Sequence, residues 1–175
     1  MTLVLVDGYN LIRRIPELRA VERRSGLEAG RRELDNRLSG YTQGRTGVRV
    51  TVVYDGALNP EAPSAYGGGG FTALFREDAD RGLVELALHA AARGEQVRAV
   101  SSDRAGVVSQ LAGNNRIETL SAEVFWRELG PKSSRRGAKT SSRGDSGTRE
   151  KPGHVSKAEV NYWLEAFGAS GEEEE

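Results

Sequence analysis

The sequence contains no cysteine, one methionine and two histidines. Without thiols it forms no disulfide and no thiolate metal site. Neither sign of charge dominates, since Lys+Arg and Asp+Glu stand at 25 each, so net charge names no partner until its distribution is followed. No signal peptide and no apolar run long enough to span a bilayer is present, which gives the expectation of a soluble cytoplasmic protein. Catalytic hardware of the common kinds is missing too. There is no Ser-His-Asp arrangement, because His89 falls inside an expected helix and His154 beyond a basic linker. No Walker lysine follows a glycine-rich loop, and no dinucleotide fingerprint follows the first strand. A length of 175 residues suits one well-buried domain with an appendage.

What is present begins at the first strand. Leu3-Val4-Leu5-Val6 is apolar without alternation, the pattern of a strand buried on both faces in a parallel sheet covered by helices. It stops at Asp7-Gly8, and Asn10, Leu11, Ile12 and Ile15 open a helical region. Arginines then alternate with Leu18, Val21, Leu27, Leu34 and Leu38 at helical spacing, with a break expected near Ser25-Gly26. The arginine-rich face is either a solvated helix face or a surface that attracts phosphate. Arg49 to Tyr54 is a β-branched second strand that also ends in Asp-Gly, at Asp55-Gly56.

From Ala57 to Gly70 the chain is rich in Pro, Ser and Gly and reads as a mobile loop, its Gly67-Gly68-Gly69-Gly70 run unsuited to regular structure. Phe71 to Phe75 forms a third strand, and Arg76-Glu77-Asp78-Ala79-Asp80 leads into an Ala- and Leu-rich helix closed near Gly94. Val97 to Ser102 is a fourth strand followed by Asp103, then comes a short helix from Val107 to Leu111. Ile117 to Leu120 is a last strand, and Ser121 caps a final helix through Trp126. The expected fold is therefore α/β, with a mostly parallel central sheet between helical layers.

Asp7, Asp55, Asp78 or Asp80, and Asp103 each follow an expected strand. In a parallel sheet the carboxyl ends share one edge, which gathers these acids although they are far apart in sequence. Any one Asp-Gly after a strand is ordinary turn chemistry. Several gathered carboxylates raise one another's pKa values, and a hard divalent cation with oxygen ligands, Mg²⁺ or Mn²⁺, relieves the repulsion. An acid-only metal site without a side-chain nucleophile suits phosphodiester hydrolysis.

Four stretches also carry a resemblance: Val6-Asp7-Gly8-Tyr9-Asn10-Leu11-Ile12, Val53-Tyr54-Asp55-Gly56, Ala79-Asp80, and Ser101-Ser102-Asp103-Arg104. Together they resemble the NYN-domain nucleases, in the YacP-like branch of the PIN-like fold, across residues 1–130. The resemblance implies a three-layer α/β/α domain and a metal-dependent bacterial endoribonuclease; one member of the family acts on messenger RNA at the ribosome. It assigns metal binding and catalysis to Asp7, Asp80 and Asp103, with Asn10 positioning a ligand or substrate. Asp55 is a further metal contributor, and Glu77 and Asp78 are substitutes for a fourth acid, because Val84 stands near the family's position for it and Glu85 one later.

Beyond the domain, residues 131–152 are a basic linker without large apolar residues, expected to be disordered. Residues 153–168 form a short amphipathic helix carrying Val160, Trp163, Leu164 and Phe167, and 169–175 an acidic tail. RNA contacts are expected from Arg13, Arg14 and Arg104 in the domain and from Lys132, Arg135 and Arg136 in the linker. Two other functions compete: a non-catalytic RNA- or ribosome-binding module with a degenerate metal site, and a phosphohydrolase acting on small substrates.

Overall fold

The computed structural model describes residues 1–56 and 65–130. The expected linker, C-terminal helix and acidic tail, with Lys132, Arg135 and Arg136, lie outside the described residues. The chain runs β1 (Thr2–Asp7), α1 (Gly8–Arg14), α2 (Pro16–Ser25), α3 (Leu27–Thr42), β2 (Val48–Asp55), β3 (Ala65–Gly68), β4 (Phe71–Arg76), α4 (Ala79–Ala92) and β5 (Gln96–Val100). A π-helical turn (Arg104–Val108), α5 (Ser109–Leu111), β6 (Ile117–Leu120) and α6 (Ala122–Leu129) complete it.

The sheet has six strands in the order β3-β4-β2-β1-β5-β6. All neighbours are parallel except β3 and β4. β1 lies in the interior between β2 and β5, which explains its unbroken apolar run. Successive side chains of a strand point to opposite faces. Val4 and Val6 therefore enter one core with Leu11, Ile12, Leu34, Leu38 and Phe125 from α1, α3 and α6. Leu3 and Leu5 enter the other with Leu83, Leu86, Ala87 and Ala90 of α4. The result is a three-layer α/β/α domain, as the sequence suggested.

The helix break falls at Gly26, and Pro16 is accommodated in the first turn of α2, where its missing N–H costs nothing. The glycine run is the main departure from expectation. Gly67 and Gly68 belong to a strand, paired with Thr72 and Phe71, and only Gly69-Gly70 make the turn. At Gly67 (φ 144°) an added Cβ would stand 2.2 Å from the Phe71 carbonyl oxygen, so this strand requires the missing side chain.

A buried acid ties the helical layer to the sheet. Asp35, on the apolar stripe of α3, is 9% exposed. It accepts the Tyr54 hydroxyl at 2.7 Å from β2 and the Tyr66 hydroxyl from β3. Burial raises its pKa despite those two hydrogen bonds and the nearby Arg31 guanidinium. Asp35→Ala would leave two hydroxyls without acceptors, Tyr54's being fully buried. It is expected to lower stability by about 2 kcal/mol, read as a reduced midpoint in urea unfolding at unchanged slope.

Candidate active site

Strand order reverses around β1: the chain moves to β2 and β4 on one side, then crosses by α4 to β5 on the other. The carboxyl ends of β1 and β5 thus flank the topological switch point, where open α/β sheets form a ligand crevice.

Asp7 is the last residue of β1 and also the cap of α1, so the strand's end and the helix's start hold it in common. One carboxylate oxygen accepts the Asn10 backbone N–H at 3.0 Å. The other accepts the buried Ser101 hydroxyl at 3.4 Å. Asp7 is 6% exposed, and burial first, then the charges of Asp80 and Asp55, push its carboxyl up to about 6 against those hydrogen bonds.

Asp80 stands at the rim, in the first turn of α4. Partial burial, then the charges of Asp103, Asp55 and Asp78, hold its pKa above the usual carboxylate value, while a hydrogen bond with the Asp7 carboxyl lowers it. Asp7 and Asp80 therefore interact across the crevice. Asp103 comes three residues beyond β5 and caps the π-helical turn, accepting Ala105 and Gly106 N–H at 3.2 and 3.1 Å. Its own N–H donates to Ser101 Oγ at 3.1 Å, so one hydroxyl joins Asp7 and Asp103.

The other sequence-derived candidates separate. The Asn10 side-chain oxygen accepts Ser102 N–H at 3.2 Å, tying α1 to the segment after β5. Asp55 is exposed and accepts the Ala79 N–H at 2.9 Å. Asp78 caps α4 through Arg81 N–H at 2.8 Å. Val84 is 5% exposed and belongs to the core, while Glu85 pairs with Arg81 at 2.8 Å. Glu77 is exposed. Arg13 and Arg14 are exposed on the last turn of α1, about 10 Å along the helix from Asp7 at 1.5 Å per residue. Arg104 opens the π-helical turn.

The sequence places Ser101 in a strand and in a family motif but gives it no role of its own. The strand ends at Val100, and the signal was a hydroxyl breaking the apolar run two residues before an acid.

All the gathered donors are carboxylate oxygens, a set that suits a hard cation such as Mg²⁺ or Mn²⁺. Among the described residues, no three Asp, Glu or His side chains stand close enough to hold a metal as placed. Nor is any helix among them long and apolar enough to cross a membrane.

A mostly parallel six-stranded α/β sheet between helical layers matches the fold of YacP-like NYN domains, a nuclease-like, RNA-related class. The chain belongs to the YacP-like NYN domain family, whose model matches residues 4–167. It is similar to two crystal structures of Rae1 (YacP) from Bacillus subtilis. One is 27% identical (TM-score 0.57), with 74% of each chain covered. The other, of a single-residue variant, is 29% identical (TM-score 0.56), with 74% of this chain and 75% of that one covered. No protein with a curated description matches the chain.

Proposed function

We propose that the protein is a metal-dependent endoribonuclease that hydrolyses RNA phosphodiester bonds, with messenger RNA at the ribosome as its substrate. The observation that carries this reading is that Ser101 Oγ joins Asp7 and Asp103, from different elements, with Asp80 in electrostatic reach of both. Burial first, and then the charges of Asp80 and Asp55, push the Asp7 carboxyl up to about 6, a perturbation of the kind that clusters at functional sites.

Asp7, Asp80 and Asp103 would hold Mg²⁺ or Mn²⁺, which when bound supplies activation of water and charge stabilisation at the phosphate. The chain's own part is orientation. Asn10 N–H and Ser101 Oγ fix the Asp7 carboxylate, the Ala105 and Gly106 amides fix Asp103, and the Asn10 side chain holds the post-β5 segment against α1. Arg13, Arg14 and Arg104 are the domain's candidates for phosphate contacts.

The competing reading, a non-catalytic RNA- or ribosome-binding module, draws on the absence of a ready three-ligand cluster among the described residues. Incubating the purified protein with RNA, with and without ribosomes, in Mn²⁺, Mg²⁺ or EDTA separates the two. Cleavage is expected with either cation and none in EDTA. Binding without cleavage under every condition would leave the module as the correct reading.

A further inference from the structure

Asp7 and Asp55 look alike in sequence, each an acid before glycine at the end of an apolar strand. Their carboxylates are used differently. Asp55 Oδ1 accepts the N–H of Ala79, the first residue of α4, across 24 positions of chain. Helix-opening amides have no partner within the helix, and Ala79 is 2% exposed, so water is a poor substitute for the carboxylate. The Arg81 and Gly82 amides are taken by Asp78, through its side chain and its carbonyl. Just before the helix, Gly56 N–H donates to Arg76 O at 2.7 Å. The first turn of α4 is thus pinned to the end of β2 through Ala79, and the end of β4 just before it through Arg76; the residue after Ala79 is Asp80.

We infer that Asp55 is a positioning residue: by accepting the Ala79 N–H it clamps the start of α4 to β2 and sets where Asp80 stands relative to Asp7. What the clamp needs is an acceptor oxygen. Negative charge at Asp55 raises the pKa of both neighbours and so works against their ionisation. An amide at this position therefore preserves the function, and an aliphatic side chain removes it.

This rests on the nuclease reading for its catalytic consequence but not for its geometry, so the test has readouts of both kinds. Asp55→Asn and Asp55→Ala are compared with wild type by amide hydrogen exchange at Ala79, Mn²⁺ binding by calorimetry, and cleavage kinetics. Asp55→Asn is expected to keep Ala79 protected and both Mn²⁺ affinity and kcat within about threefold. Asp55→Ala is expected to speed exchange at Ala79, weaken Mn²⁺ binding and lower kcat by about tenfold or more, and leave KM for RNA nearly unchanged, the scale typical of lost ligand-orienting hydrogen bonds. If Asp55→Asn loses Mn²⁺ binding as completely as Asp7→Asn, Asp55 is a ligand and the inference is wrong. If Asp55→Ala leaves Ala79 exchange and Mn²⁺ affinity at wild-type values, the clamp does not exist. A wild-type protein that cleaves no RNA overturns the nuclease reading alone, since exchange and cation binding still decide the clamp.

Discussion

Asp7→Asn is expected to abolish RNA cleavage and, in the absence of divalent cations, to make the protein more stable at neutral pH. The carboxyl of Asp7 titrates near 6 in the folded chain, against 3.8 as its ordinary value. Between those values the folded state holds a proton that the unfolded state has released, so stability falls as pH rises through this window. The loss is complete above the folded value. Two units at about 1.4 kcal/mol each give about 3 kcal/mol as the cost of an ionised, buried Asp7 at pH 8. The amide is isosteric, its oxygen still accepts the Asn10 N–H, and it carries no charge, so the variant escapes that cost. Thermal melts in EDTA should place the variant above wild type by several degrees at pH 8 and level with it below about pH 4. Mn²⁺ should raise the melting temperature of wild type and leave the variant's unmoved. A variant that retains cleavage would remove Asp7 from the site, and one that melts lower at pH 8 would make its charge structural.

The sequence reveals the fold where burial on both faces leaves a chemical trace. β1 and the strand ends at Asp7 and Asp55 are plain because an interior parallel strand has no solvent face to encode, and its apolar run must stop where the crevice begins. Asp80 and Asp103 lie a few residues beyond the ends of β4 and β5, and the strand pattern alone leaves Asp78 and Asp80 open, a choice that only the family motifs make. The roles of individual acids are hidden, because Asp7 and Asp55 differ only through tertiary context. β1 lies between β2 and β5, with the Ser101 hydroxyl over its end, whereas the end of β2 faces the start of α4. The β3 strand is hidden because local propensity counts glycine against a strand, while the close approach of the Phe71 carbonyl demands one. Asp35 is hidden because a lone acid among leucines gives no sign of hydroxyls contributed from β2 and β3.

Gly8→Ala is expected to cost about 3 kcal/mol or more, although alanine favours a helix over glycine by about 1 kcal/mol. Gly8 is the first residue of α1, is buried and has no positive φ, so backbone conformation is not what excludes a side chain. Space is. A Cβ there would lie 2.2 and 2.5 Å from the Tyr54 ring and 2.9 Å from Val52 Cγ2. Tyr54 cannot step aside easily: its ring packs on Tyr9 and Phe75 at centroid distances of 5.1 and 5.4 Å, and its hydroxyl is fixed on Asp35. The helix must lift from the sheet instead, and because Asp7 caps that helix the carboxylate moves with it. Loss of cleavage should therefore accompany the lowered urea midpoint. Tyr54→Leu offers the decisive partner. If the clash with the ring is the cause, Gly8→Ala will cost markedly less in the Tyr54→Leu background than in wild type, so the double variant costs less than the sum of the singles. Equal costs in the two backgrounds would place the strain elsewhere and detach Gly8 from the geometry of Asp7.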